Sequence, residues 1–513
     1  MSQTKAQLIS DLVQALNFTG TASAPANGVF LSATNTLAFA TNSGSRVTID
    51  SNGKATFSVD GVFNSVNIGK GANSVSGNTV LGENALNASV SGGNNTAIGK
   101  QSLLSHTSGT NCTALGSLTL AFNTTGSHNT AVGLGALNVN TTASSNTAVG
   151  RSSMASNTTG TNNVAVGAQS LNANTTASNN TAIGTSALTA NTTGTRNVAV
   201  GANTLDANTT ANDNTAIGYI ALSANTTGSS NTAIGSFCLD VNTTGNNNTG
   251  VGVGTLGANT EGLTNTAVGS QALTANTTGN NNVALGGFSL DVNTTGSSNT
   301  AVGVGSLGNS TTASNNTAVG LDALNSNTTG NSNNAFGKDA GKSITTGSNN
   351  NFFGSLAGEN TSTSDFNCAF GQEALEANST GASNVAMGFR ALEANTTANN
   401  NTALGSQALK ANTTGFNNVA VGTESFQNNT TAGNNTGLGR RAGKANTTGT
   451  LLVAIGQGAL ESNTTANSNT AVGCNALNLN TTGANNTAVG DAALTANTTG
   501  TQNTAVGVNA LSH

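Results

Sequence analysis

Charged residues are scarce in this chain: they make up only 6 % of its 513 residues, and the formal net charge is −5. Ordinary soluble domains carry about 25 % charged residues. There is one proline, one tyrosine and no tryptophan. The sequence has no basic patch with interleaved aromatic residues, which excludes the usual electrostatic footprint of a nucleic-acid-binding protein. The low net charge and the regularly spaced aliphatic residues also argue against a disordered chain.

Membrane and export signals are missing as well. No apolar run reaches transmembrane length. The first residues, MSQTKAQLISDLVQALNF, lack the basic and apolar regions of a secretory signal. We therefore expect a protein that is made in a cytoplasm and does not insert into a membrane.

Cysteine is rare, and its placement excludes a disulfide framework. The four cysteines fall at four different positions of the repeat that is described below, so they would not stack in one column. This spacing predicts isolated small apolar substitutions and no metal site. The residues are Cys112, Cys238, Cys368 and Cys474.

What the sequence does contain is a repeat of 17 residues. A glycine recurs at this spacing from Gly82 to Gly507, in 26 registers without insertion or deletion. With this glycine numbered position 5, the consensus is NTAVGxxALxANTTGxx. A fixed short period predicts stacked structural units and argues against a globular enzyme. At the strand spacing of ~4.8 Å, the stack would form a rod of roughly 120 Å.

Positions 4 and 9 carry the large apolar residues of the repeat. Position 4 is always large and apolar, and position 9 is nearly always leucine. We predict that they form two core columns on two facing strands, which gives an all-β fold, a β-solenoid or β-roll of about 26 coils. The predicted core residues are Val132, Leu137, Val149, Val166, Leu171, Ile183 and Leu188.

Three copies carry glycine at position 9, namely Gly341, Gly358 and Gly443. Near the first two, position 4 is phenylalanine, as in Phe336 and Phe353. We expect these rings to fill the space that the missing leucines leave. The sequence offers no such partner for Gly443.

Position 3 is nearly always alanine, and the alternation along a strand turns it away from positions 2 and 4. A position that faces solvent would accept charged residues in some copies. We therefore expect other copies of the chain to pack against it, and we predict the interface of a homotrimer there. The interface residues would be Ala131, Ala148, Ala165, Ala182, Ala199, Ala216 and Ala233.

Glycine and asparagine define the remaining fixed positions. The glycine of position 5 never changes, which predicts a turn with positive φ or a close backbone approach. The turn residues include Gly133, Gly150, Gly167 and Gly184. Asparagine fills position 1 in almost every copy and position 12 in most copies. Stacked at strand spacing, these residues would form two hydrogen-bonded ladders.

The N-terminal segment does not repeat. The apolar spacing over Lys5–Leu16 predicts a helix, and the runs TLAFAT, SRVTID and KATFSVDG predict strands of a β-meander. We divide the chain into residues 1–61, a helix and β-meander for attachment or capping; residues 62–81, irregular first coils; and residues 82–513, the solenoid shaft.

The motif Asn163-Val164-Ala165-Val166-Gly167 and its copies resemble the head repeats of trimeric autotransporter adhesins of the YadA type. That resemblance implies a parallel β-roll in a trimer. The period of 17 is longer than the adhesin repeat, and no segment resembles the adhesin stalk or barrel anchor, so we do not expect an autotransporter. The longer form NTAVGxxALxxNTTG looks like repeats in tail-fibre and virion structural proteins of tailed phages. The N-terminal segment resembles the start of structural proteins of cyanobacterial phages.

No catalytic, metal or cofactor constellation is visible in the sequence, and we expect neither enzymatic activity nor a cofactor. The expected function is a structural fibre of a phage virion, on the tail or capsid, anchored through its N-terminus to a virion protein. A host-surface glycan or protein is the expected distal contact, although no aromatic platform for carbohydrate stands out. Two alternatives stay open: the passenger of a bacterial trimeric adhesin, and an ice-binding solenoid that uses the paired threonines.

Overall fold

The computed structural model describes residues 27–33, 36–41, 44–49, 54–57 and 60–513. The chain comprises two compact units, Met1–Thr193 and Gly194–His513. The predicted fold class is confirmed, since the described part of each unit is a β-solenoid with the 17-residue period. The helix expected over residues 5–16 lies outside the described residues.

The described part of the first unit begins with an antiparallel meander, as the strand pattern of the sequence predicts. Its four strands pair in chain order, and they are β1 (Asn27–Ala33), β2 (Thr36–Thr41), β3 (Gly44–Ile49) and β4 (Ala55–Phe57). Two short strands, β5 (Gly61–Phe63) and β6 (Val66–Gly69), then pair antiparallel with each other. A 3₁₀ turn at Ala72–Ser74 leads to β7 (Thr79–Gly82), which pairs antiparallel with β6.

From β8 onward, every coil contributes one strand of three residues to a parallel stack that starts at β7. In the first unit these strands are β8 (Thr96–Ile98), β9 (Thr113–Leu115), β10 (Thr130–Val132), β11 (Thr147–Val149), β12 (Val164–Val166) and β13 (Thr181–Ile183). Successive strands pair in register, so that Ala131 faces Ala148 in the ladder. Equal coil length keeps each position of the repeat directly over the same position of the previous coil.

The second unit repeats this arrangement, again with parallel in-register pairs such as Ala216 with Ala233. Its strands are β14 (Val198–Val200), β15 (Thr215–Ile217), β16 (Thr232–Ile234), β17 (Thr249–Val251), β18 (Thr266–Val268), β19 (Val283–Leu285), β20 (Thr300–Val302), β21 (Thr317–Val319), β22 (Asn334–Phe336), β23 (Asn351–Phe353), β24 (Cys368–Phe370), β25 (Val385–Met387), β26 (Thr402–Leu404), β27 (Val419–Val421), β28 (Thr436–Leu438), β29 (Val453–Ile455), β30 (Thr470–Val472), β31 (Thr487–Val489) and β32 (Thr504–Val506).

The expectation of a second strand carrying the leucine was wrong. Positions 6–11 form turns, and the leucine of position 9 has a left-handed backbone, with φ of 52° at Leu137 and 51° at Leu171. This conformation costs about 1–2 kcal/mol for a residue with a Cβ. It is held because the leucine side chain is fully buried and the amide of Leu137 donates to the carbonyl of Ser153 in the next coil at 3.0 Å.

Both predicted asparagine ladders are present. At position 12, Nδ2 of Asn140 donates to Oδ1 of Asn123 at 2.7 Å and to the carbonyl of Ala143 at 3.0 Å. At position 1, Oδ1 of Asn129 accepts the backbone amide of Asn146 at 3.0 Å. These asparagines are fully buried, and leaving such a group unpaired costs about 1–3 kcal/mol. Wherever both positions carry asparagine, the ladders therefore link one coil to the next through polar side chains as well as through the backbone.

The glycine of position 5 meets both of its predicted requirements. Gly133 has φ of +121°, and a Cβ on it would lie 2.7 Å from the carbonyl oxygen of Gly150 in the next coil. Gly150, Gly167 and Gly184 have φ of +131° to +136°. Consecutive coils therefore stack too closely at this turn for any side chain.

Candidate functional site

The strand of each coil points its alanine inward, which is the reverse of the prediction. The alanines expected at a trimer interface are all fully buried within the single chain: Ala131, Ala148, Ala165, Ala182, Ala199, Ala216 and Ala233. Residues at position 3 pack against those at positions 8 and 9. At Gly250, which occupies position 3, an added Cβ would lie 2.6 Å from Sγ of Cys238 at position 8. A coil with a single short strand has a narrow interior that the leucine already fills. Only a small residue fits opposite the leucine, which explains without any partner chain why position 3 is nearly always alanine.

The core prediction is therefore half correct. Leu137, Leu171 and Leu188 are fully buried and confirmed as core residues. The position-4 residues lie on the outside of the strand: Val132, Val149 and Val166 are half-buried, and Ile183 is 40 % exposed. The error follows from the strand period of two, because assigning one position to the wrong face turns every side chain of the strand over.

Positions 2 and 4 form a continuous outer strand face on each unit. Neither position carries a charged residue in any of the 26 registers; threonine or valine dominates position 2, and aliphatic residues dominate position 4. Many of the position-4 side chains are open to solvent in the single chain, including Leu115, Ile217, Ile234, Leu285 and Leu404. Extended apolar surface of this kind marks an interaction site in a water-soluble protein.

Within the second unit, this outer strand face carries an aromatic ladder. The rings of Phe336 and Phe353 stack at 4.8 Å between centroids, and those of Phe353 and Phe370 at 5.7 Å. The prediction that these rings fill the interior next to Gly341 and Gly358 was wrong, because they lie outside. The stacking turns the ring faces toward each other and leaves the edges toward solvent.

Charged residues gather at positions 6, 7 and 10 instead. In the second unit Nε of Arg390 lies 2.5 Å from Oε2 of Glu373, and Nζ of Lys410 lies 3.6 Å from Oε2 of Glu393. The hydrogen bond from Arg390 lowers the pKa of the Glu373 carboxyl. These surface pairs contribute less than about 1 kcal/mol each, and they leave the outer strand face uncharged.

One group of three carboxylates could meet the distance requirement of a metal site. The side-chain oxygens of Glu373, Glu376 and Glu393 lie within 4.8 Å of one another. Arg390 and Lys410 already supply positive charge to this group. The carboxylates and these two basic side chains are therefore arranged as an ion-pair network.

The cysteines and the paired threonines differ in burial and in hydrogen bonding. All four cysteines are free, and burial raises the pKa of Cys238 to about 12, which makes its thiol unreactive. In the pair Thr124-Thr125, Oγ1 of Thr124 donates to the carbonyl of Thr141 in the next coil at 3.0 Å, while Thr125 of position 14 is exposed. Within the described residues, no helix has the length and apolar composition that a bilayer span requires.

Comparisons of the chain with protein-family models, with curated proteins and with solved structures find no significant match.

Proposed function

We propose that this chain is the structural subunit of a homotrimeric phage fibre and that the outer strand faces of three copies pack together in its centre. The single observation that carries the assembly is the uncharged apolar face of positions 2 and 4. A partner for this face must present matching residues at every coil, along many consecutive coils. A second copy of the same chain meets that requirement, because its own face has the same repeat.

Self-association also explains why the outer strand face stays apolar. An isolated solenoid of this kind would be free to accept lysine or glutamate at positions 2 and 4, as it does at positions 7 and 10. Burial of the face in an assembly stabilises it by about 25 cal/mol for each Å² of apolar surface that is removed from water. The choice of three copies rests on the resemblance to trimeric adhesin heads.

The placement on a virion rests on sequence. The long form of the repeat resembles phage fibre repeats, and the N-terminal segment resembles the start of structural proteins of cyanobacterial phages. In this proposal the meander β1–β4 lies at the end that attaches to another virion protein, and the repeat extends away from it toward a host surface. The fibre has a mechanical and binding role, without a catalytic step.

Immunogold electron microscopy tests the placement. Antibody against residues 194–513 is expected to label intact virions from a lysate of cells that carry the gene. Label on the bacterial surface, with none on the particles, would support the adhesin alternative and overturn the phage proposal.

A further inference from the structure

The second unit contains the same unusual pair of neighbouring coils twice, 51 residues apart. Phenylalanine occupies position 7 only at Phe237 and Phe288, and glycine occupies position 10 only at Gly257 and Gly308. Each of these glycines lies in the coil that follows the phenylalanine. We name the two places notches: the first notch is Phe237, Asp240, Gly254 and Gly257, and the second is Phe288, Asp291, Gly305 and Gly308.

Each notch combines an exposed aromatic ring with a carboxylate. Phe237 is 44 % exposed and Phe288 is 50 % exposed. Oδ1 of Asp240 lies 3.7 Å from the place that a Cβ of Gly257 would occupy, and Oδ1 of Asp291 has the same distance from that of Gly308. The two notches therefore share their residue types and this one distance, whereas only at the second notch does Nδ2 of Asn325 lie 3.0 Å from the place of a Cβ on Gly308.

The glycines of the first notch leave space that the phenylalanine does not take. Elsewhere in this unit a glycine pairs with a buried ring: a Cβ on Gly341 would lie 2.8 Å from Cδ2 of Phe352. At Gly254 the nearest atom is Cγ of Gln271, at 3.8 Å, and the ring of Phe237 is not among the near neighbours. The glycines of the notch are thus not explained by packing of the ring.

The space at the first notch is a groove of about 580 Å³, bordered by Phe237, Asp240, Val241 and Thr274. The hydroxyl of Thr274 donates to the carbonyl of Gly254 at 3.2 Å, which fixes the far wall. At the second notch the amide of Asn325 donates in the same way to the carbonyl of Gly305 at 2.7 Å. There the side chain of Asp322 projects over Gly305, so the second notch is the narrower one.

The two carboxylates have no charge partner in the described part of the chain. Among the described residues, neither Asp240 nor Asp291 forms an ion pair with lysine or arginine, whereas the glutamates of later coils do. Partial burial raises the pKa of both carboxyls. Each carboxylate is therefore a hydrogen-bond acceptor beside an exposed ring, and it would repel an anionic ligand.

We propose that each notch binds a neutral or amino pyranose unit of a host-surface glycan, with the C–H face of the sugar on the phenylalanine ring and two of its hydroxyls donating to the aspartate. Mostly apolar pockets with a few well-placed polar groups are typical of small-ligand sites. The groove is open to solvent, which suits a ligand that stays half hydrated. The three coils between the notches span ~14 Å, so one linear glycan can run along the stack and reach both.

This inference rests on the proposed function, because a fibre gives the site its biological target and supplies three copies of each notch. Individual pyranose contacts are weak, and binding through several linked sites raises the overall affinity by 10²–10⁴. The chemistry of the notch itself does not depend on the virion.

The test is a titration of the purified full-length protein on arrayed neutral, amino and uronic-acid oligosaccharides. We expect saturable binding to at least one neutral or amino glycan and none to uronic acids. The double variants Phe237→Ala/Phe288→Ala and Gly257→Asn/Gly308→Asn should each weaken that binding at least tenfold. The second variant only fills the notches, since position 10 carries asparagine in other coils, such as Asn172 and Asn478. Phe122→Ala, which removes an equally exposed ring elsewhere, should leave binding unchanged.

Absence of saturable binding to any neutral or amino glycan would overturn the proposal, as would binding that both double variants retain. These outcomes are independent of the fibre assignment. If virions carry gold label but the protein binds no glycan, only the proposal that the notches bind glycan is overturned. If the protein binds glycan but is absent from virions, only the phage-fibre proposal is overturned.

Discussion

The ring of Phe352 lies inside its coil, directly against Gly358. A Cβ on Gly358 would be 2.5 Å from Cε1 of the ring, and Gly341 of the preceding coil meets the other side of the same ring. Phe352 is fully buried at a position where other coils carry alanine. One phenylalanine thus replaces two leucines of the interior.

We expect Phe352→Ala alone to destabilise the second unit by about 3–5 kcal/mol, because it opens a large cavity. The triple variant Phe352→Ala/Gly341→Leu/Gly358→Leu returns both coils to the consensus and should recover most of that loss. The left-handed backbone at both glycines is the one that leucine adopts in the other coils. Urea unfolding followed by circular dichroism measures both effects. A triple variant no more stable than Phe352→Ala would show that the ring and the glycines are not coupled.

The asparagine ladder of position 12 is interrupted at Ser310. Oδ1 of Asn293, which would accept from this position, and Oγ of Ser310 are buried and have no hydrogen-bond partner among the described residues. Ser310→Asn would donate to Asn293 and accept from Asn327, as Asn140 does in the intact ladder. We expect a gain of about 1–3 kcal/mol, seen as a higher urea midpoint. Ser310→Ala is the control because it cannot bond to Asn293, and equal stability of the two variants would contradict this account.

His106 replaces an asparagine of the same ladder and makes stability depend on pH. Nδ2 of Asn123 donates to Nδ1 of His106 at 2.9 Å, and Nε2 of His106 donates to the carbonyl of Gly109 at 2.7 Å. Burial lowers the pKa of His106, so the fold favours the neutral ring. Its full contribution is present above the unfolded-state pKa of about 6.5 and falls as the pH drops below that value.

We expect the urea midpoint of the wild-type protein to fall between pH 7.5 and pH 5 by more than that of His106→Asn. The variant keeps the hydrogen-bonded ladder and removes the titrating imidazole, while all other ionisable groups are the same in the two proteins. Identical changes in the two proteins would show that protonation of His106 is not coupled to folding.

The outer strand face gives a direct test of assembly. Ile217→Glu/Ile234→Glu adds two charges to exposed side chains, so each chain should stay folded while self-association is lost. Ala216→Glu buries a carboxylate in the interior and should unfold the surrounding coils instead. Thr227→Glu is the control, because position 14 already carries a glutamate at Glu261. Sedimentation velocity separates these outcomes, and a double variant with the wild-type sedimentation coefficient would exclude this face as the interface.

The sequence predicts the period, the solenoid, the ladders and the turn glycines, because each of these depends on one position that repeats along the chain. The sequence-based prediction assigns the two faces of the strand wrongly, because the larger side chain of Val132 suggests that it points inward and that Ala131 points outward. The interior is narrow because the leucine of position 9 fills it from a turn with a left-handed backbone, a conformation that no propensity favours.

One signal in the sequence does identify the inner face. Phe352 is the one aromatic residue at position 3, and glycine replaces leucine at position 9 both before and after it. Phe426 follows the same rule at position 9: its ring contacts Gly443 of the next coil, and a Cβ on Gly437 would lie 2.7 Å from it. Gly443, which has no partner at position 4, is explained in this way. Such compensation between positions 3 and 9 requires that both point into one interior.

The solution mass of the purified wild-type chain, measured by light scattering behind a sizing column, tests the central claim most directly. A homotrimer joined through the outer strand face predicts a mass of about three times the 49.9 kDa of one chain. A mass equal to that of one chain at micromolar concentration would contradict the trimeric fibre and leave the apolar face without its proposed partner.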